Sequence, residues 1–150
     1  MEIIEETGKV NFAKIIDLLK AEWPEDWGEL SDEKLIQEFE KSSDYKYDIN
    51  KYLYNGNQII GWYRYSVWPR KEDNKTDVHT LDIVVNPEYQ GKGLGNMLMN
   101  DLISDCKKRG LKKLLSRTIE GNIQSYKMHE RNNFKVQFQK GKDIVWKIDL

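Results

Sequence analysis

Val84-Val85-Asn86-Pro87-Glu88-Tyr89-Gln90-Gly91-Lys92-Gly93-Leu94-Gly95 runs from an apolar strand, through a turn, into a helical pattern. Glycine stands at every second position from 91 to 95, so no side chain screens the backbone where the helix opens. A helix start carries unpaired N–H groups and the positive end of a dipole. Strand, glycine loop and helix start together predict a seat for a phosphate-bearing ligand.

Outward from that loop the pattern is mixed α/β. Upstream, Thr80–Val85 reads as the strand entering the turn, with Leu81, Ile83 and Val85 facing the core and Thr80, Asp82 and Val84 on the other face. Lys51–Tyr54 and Gln58–Val67 read as two strands joined at Asn55-Gly56-Asn57, a hairpin signal. Residues 69–77 are polar enough to predict a solvated loop. Nearer the N-terminus, residues 2–6 suit a short strand. Asn11 is placed to cap a helix whose stripe is Phe12, Ile15, Ile16 and Leu19, and Pro24 stops it. Ser31 opens a second helix with Leu35, Ile36 and Phe39 on one face. Downstream, the helix from the glycine loop continues to Arg109, followed by a strand at Lys113–Thr118, a helix at Asn122–Asn132 and two strands near Lys135–Gln139 and Ile144–Leu150. The 150 residues are expected to form one domain, 1–150.

Composition narrows the partners. The 24 Lys and Arg nearly cancel the 25 Asp and Glu, so neither nucleic acid nor an anionic membrane is favoured as a partner. No apolar run is long enough to span a bilayer, and Met1–Glu6 lacks the basic and apolar regions of a signal peptide. Cys106 is the single cysteine, which fits a reducing compartment. A soluble cytoplasmic protein without a metal is the expectation.

Glycine loops have several chemistries. Nucleotide hydrolases need Lys-Ser or Lys-Thr after the last glycine, but Asn96 follows Gly95. The dinucleotide fingerprint places its last glycine three positions after the second, while Gly91, Gly93 and Gly95 are evenly spaced. A tight turn that binds nothing is the remaining alternative.

Gln90-Gly91-Lys92-Gly93-Leu94-Gly95 resembles the Gln/Arg-x-x-Gly-x-Gly/Ala motif of the GNAT acetyltransferases, which bind acetyl-coenzyme A. Val85-Asn86-Pro87-Glu88 is similar to that family's lead-in. A second feature matches as well: an Asn opens a helix and a Phe closes it twelve residues later, here Asn122 and Phe134. The resemblance covers about residues 80–135. It implies a mostly antiparallel central sheet flanked by about four helices, with central strands that splay apart. It also implies that Gln90, Gly91, Lys92, Gly93, Leu94 and Gly95 hold the coenzyme's pyrophosphate. The backbone of Ile83, Val84 and Val85 would pair with the pantetheine arm, and Asn122 and Ser125 would support it. Asn122 also reads as a plain helix cap. Members of the family often pair as dimers, which leaves a homodimer open.

Acetyl transfer to an amine needs a deprotonated acceptor, a polarised carbonyl and a stabilised thiolate. A lysine-like amine titrates near ~10.4, so freeing it at pH 7 costs roughly 4–5 kcal/mol. The family's usual acid is a tyrosine seven residues after the Asn, and in this chain that position holds His129. Histidine can donate a proton near neutrality. The alternative is that His129 only packs. Tyr126, a turn earlier, is a further catalytic candidate, though it is read as pointing in a different direction. Asp82 is the candidate base, His79 a weaker one, and Asp82 also reads as a plain surface or hydrogen-bonding residue. Asn133 replaces the family's glycine before Phe134, and Asn tolerates a left-handed backbone. The acceptor is expected near the first two helices and the aromatic strand of Trp62, Tyr63 and Tyr65; most of these rings read as core or hairpin packing, and one face as the lining of a pocket. Glu22, Glu25, Asp26 and Glu29 would attract a cationic amine or simply be solvated. The expected activity is N-acetyl transfer; the competing one is a non-catalytic acyl-coenzyme A sensor or docking module.

Overall fold

The structure, a computed structural model, describes residues 1–6, 10–42, 47–69 and 76–150, with backbone alone at 69, 76, 77 and 81. Asn55-Gly56-Asn57 joins β2 (Asp48–Asn55) to β3 (Gln58–Pro69), with Gly56 at φ 61° supplying the turn. β1 (Glu2–Glu6) lies antiparallel to β2, Glu2 opposite Tyr54 and Glu6 opposite Asn50. β4 (Thr76–Val85) follows β3 in the sheet. Both strands reach further than the sequence predicts, into the ends of the expected polar loop; residues 70–75 of that loop lie outside the described residues.

The chain divides into two compact units. One comprises Met1–Arg64 and Asp82–Leu98, the other Tyr65–Leu81 and Met99–Leu150. In the first unit the strand order is β1-β2-β3-β4. Three helices accompany it: α1 (Ile16–Glu22), α2 (Pro24–Trp27) and α3 (Asp32–Lys41). A 3₁₀ turn, Phe12–Ile15, precedes α1. Asn11 makes no side-chain cap. Its backbone carbonyl instead accepts from the Lys14 N–H at 3.1 Å, as the tighter 3₁₀ start requires. Pro24 ends α1 and also opens the extra helix α2, where its missing N–H removes no bond. Ser31 caps α3 as expected, its Oγ accepting from the Lys34 N–H at 3.3 Å. The core of this unit gathers Phe12, Leu19, Leu35, Phe39, Trp62 and Val84, with Trp23 and Trp27 against Phe39.

In the second unit the order runs β3-β4-β5-β7-β6. Here α4 (Leu94–Lys108) contributes its length from Met99 onward. β5 (Lys113–Ile119) lies parallel to β4, His79 opposite Leu115. Beyond that pair β4 continues into the first unit and β5 continues within the second. β7 (Asp143–Asp149) lies antiparallel to β5 and to β6 (Lys135–Lys140). α5 (Ile123–Arg131) joins β5 to β6. The fold is therefore mixed α/β with a mostly antiparallel sheet and, among the described residues, five helices, one more than expected because α2 is separate.

Candidate active site

In the first unit, β4 delivers the chain to the glycine loop. The Asn86 N–H donates to the Ile60 carbonyl at 2.8 Å, while its side-chain oxygen accepts from the Glu88 N–H at 2.9 Å. These bonds set a 3₁₀ turn, Pro87–Tyr89. Gly91 and Gly93 then sit at φ 77° and 80°, a left-handed backbone that other residues adopt only with strain. A Cβ placed on either would meet nothing within 4 Å, so the space over the loop is open. α4's first bond runs from the Met97 N–H to the Gly93 carbonyl at 3.0 Å. The N–H groups of Gly93, Leu94 and Gly95 therefore precede its hydrogen-bond ladder. Lys92 lies over the Tyr89 ring, 5.3 Å from its centre.

Gln90 ties the loop to its surroundings. Its Nε2 donates to the Val85 carbonyl at 3.1 Å and to Glu22 at 2.9 Å. Glu22 ends α1, and partial burial raises its pKa against the opposing pull of the Gln90 bond. The Asn86-Pro87-Glu88 turn also borders an open groove of about 740 Å³ beside Asp17 and Leu18 of α1.

Alternation along β4 does not hold as predicted. Val84 is fully buried in the apolar cluster, while Ile83 on the expected core face is only partly buried. The reason is cover on both sides: Trp62 and Val84 meet the Phe12 cluster, and Gly61 meets Leu98 of α4. Asp82 does not stand free. Arg64 donates to its Oδ2 from Nε at 3.0 Å and from Nη2 at 2.7 Å, and Nη1 lies 3.7 Å from Asp48. The guanidinium is 5% exposed and sits over the Phe12 and Trp62 rings. Proton abstraction through Oδ2 would break that ion pair.

In the second unit, Asn122 opens α5 and its side-chain oxygen accepts from the Ser125 N–H at 3.2 Å. At the other end Asn133 takes φ 66°, the left-handed conformation expected there, and the His129 carbonyl accepts from the Phe134 N–H. Between them His129 is 3% exposed, stacked on Trp146 and edge-on to Phe134. Its Nδ1 is 2.6 Å from the Ser125 carbonyl, which only accepts, so Nδ1 carries the proton. Nε2 then accepts from Ser116 Oγ at 2.7 Å. Burial lowers the imidazole's pKa, with the Ser125 bond opposing. With its one proton held by the Ser125 carbonyl, the neutral ring presents an acceptor at Nε2, and Ser116 occupies it.

A family model described as the acetyltransferase (GNAT) family matches residues 12–134. The chain belongs to that GNAT family. No curated protein matches it. Solved structures with the same fold include the PaiA N-acetyltransferase of Thermoplasma acidophilum in complex with coenzyme A, at 17% identity, TM-score 0.71 and 100% cover of both chains. An aminoglycoside 6'-acetyltransferase type Ii shares 19% identity at TM-score 0.72, covering 99% of this chain and 97% of that one. A GNAT acetyltransferase of Elizabethkingia anophelis with acetyl-CoA bound gives 19%, 0.66 and the same cover.

Within this GNAT chain Tyr126 corrects a second expectation. Residues three apart share a helix face, and Tyr126 packs on Trp146 as His129 does, at 5.9 Å between ring centres. Its hydroxyl accepts from the Gly121 N–H at 2.7 Å and points at the Ile119 carbonyl 3.4 Å away. Trp62, Tyr63 and Tyr65 are all fully buried, so these three rings line no open surface; the Tyr65 hydroxyl donates to Asp105 instead. Sequence reading missed Arg64, although a lone charge inside an aromatic strand was the signal. It also missed the Glu22–Gln90 bond, for which no local signal exists.

Proposed function

We propose that the chain is an acetyl-coenzyme A-dependent N-acetyltransferase that passes the acetyl group directly to an amine. The observation that carries the proposal is the Gln90–Gly95 loop, with two left-handed glycines, open space above them and a helix start directly behind. Coenzyme A in the Thermoplasma structure and acetyl-CoA in the Elizabethkingia one support the same ligand for this family member. When bound, that coenzyme supplies an activated thioester. The amides from Gly91 to Gly95 would hold phosphate oxygens, and Lys92 would add charge near them. Backbone groups at Ile83, Val84 and Val85 would serve the pantetheine arm, with one N–H available to polarise the carbonyl. Asn122 caps α5 with its oxygen, which leaves its amide N–H for the arm, and Ser125 would support it.

Proton transfer follows from the side chains that remain available. We assign the acid to Tyr126, whose hydroxyl proton faces only a long 3.4 Å contact, and give His129 the role of buttress. The amine's proton leaves to water, because Asp82 holds Arg64. A free-thiol assay with acetyl-CoA over amino acids, polyamines, aminoglycosides and peptides tests the activity. Tyr126→Phe should lower kcat about 100-fold with little change in KM for acetyl-CoA; an unchanged kcat removes Tyr126 from the chemistry.

A second reading, a non-catalytic acyl-coenzyme A module, draws on the fully engaged His129 in the family's acid position. Coenzyme binding without thiol release across that panel would favour it.

A further inference from the structure

Gln90 opens the glycine loop, and both hydrogens of its side-chain NH₂ are in use: one toward Val85 O at 3.1 Å, one toward Glu22 Oε2 at 2.9 Å. Val85 ends β4, Glu22 ends α1, and one amide group therefore joins strand end, loop start and helix end. An amide can face either way, and the wrong way would set its oxygen against Val85 O. Glu22 removes that choice, because a carboxylate accepts and cannot donate.

We propose that Glu22 is a positioning residue for the coenzyme: it orients the Gln90 amide, which fixes the strand end and the loop that the coenzyme would span. The inference rests on the function proposed above. It is unexpected on charge alone, since a carboxylate beside a pyrophosphate seat should repel it. The partly buried Glu22 carboxylate accepts the ordering bond at 2.9 Å despite that repulsion.

Charge and positioning predict opposite signs, which makes the test decisive. If only charge mattered, Glu22→Ala, Glu22→Gln and Glu22→Lys would all tighten coenzyme A binding, lysine most. If Glu22 positions Gln90, Glu22→Gln keeps an acceptor oxygen and stays within about two-fold of the unaltered protein. Glu22→Ala then weakens the Kd about ten-fold, Glu22→Lys at least as much, and Gln90→Ala matches Glu22→Ala with no further loss in the double variant. Calorimetry with coenzyme A reads the affinities. Amide hydrogen exchange without coenzyme reads the loop through the hydrogen-bonded amides that bracket it: Gln90 and Met97 should exchange faster in the alanine and lysine variants and at the normal rate in Glu22→Gln. Tighter or unchanged binding by Glu22→Ala and Glu22→Lys, or unchanged exchange, overturns the proposal. If the unaltered protein binds no coenzyme A, the proposed function falls, and the exchange rates alone decide whether Glu22 orders the loop.

Discussion

Substituting Gly93 by alanine and by glutamate separates backbone strain from charge at the loop. Gly93 has φ 80°, and a Cβ there meets nothing within 4 Å, so both variants carry the same conformational strain and no steric clash. That strain is about 1–2 kcal/mol. For a chain of 150 residues it lowers Tm by roughly 2–8 °C, about equally in the two variants. Only glutamate adds a charge. At ~5 Å from one phosphate charge, with an effective dielectric constant of ~20–40, the repulsion is about 2–3 kcal/mol. A pyrophosphate carries more than one such charge, so Gly93→Glu should lose over ~100-fold in coenzyme A affinity. Gly93→Ala should stay within about ten-fold. Thermal unfolding and calorimetry measure the two quantities on the same samples. If glutamate weakens binding no more than alanine, no polyanion sits on these amides and the reasoning from the glycine loop is wrong.

His129 supplies a pH signature in stability. Its pKa is lowered on folding, so the unfolded chain binds the proton first and stability should fall as pH drops below ~6.5, levelling below the folded value. His129→Gln should flatten that slope in denaturant titrations between pH ~5 and 7; an unchanged slope assigns the proton elsewhere. Arg64→Met leaves Asp48 and Asp82 without their shared cation and should cost about 3–5 kcal/mol in chemical denaturation, whereas a cost below ~1 kcal/mol would mean that water already compensates both carboxylates.

How far the molecule can be read from its sequence depends on whether the deciding contacts are local. Gly56 at the hairpin, the glycine loop and Ser31 as a cap act within a few residues, and all three were legible. Asn133 was legible for the same reason: it follows the end of α5, directly before Phe134, where the family motif has glycine and asparagine tolerates a left-handed backbone. His129 was not. Its nitrogens are claimed by Ser125 one turn back and by Ser116 on β5; the Ser125 carbonyl keeps the proton on Nδ1, burial keeps the ring neutral, and Nε2 is left to accept. A motif position names the residue type but not the tautomer, which its neighbours set.

Asp82 makes the same argument for a strand. Period-two alternation identifies a solvated face only when one face is covered, and this part of β4 has Val84 in one apolar cluster and neighbours packed by α4 on the other side. A carboxylate there is surrounded whichever way it points, so its chemistry follows from its partner. That partner, Arg64, is 18 residues away in sequence and announces itself only as a charge among Trp62, Tyr63 and Tyr65. A charge placed in such a strand requires a counter-charge within reach, and Asp48 and Asp82 are the ones that the structure provides. An isolated charge in an apolar strand is thus better read as half of an ion pair than as a free catalytic group, and that inference needs no alternation at all.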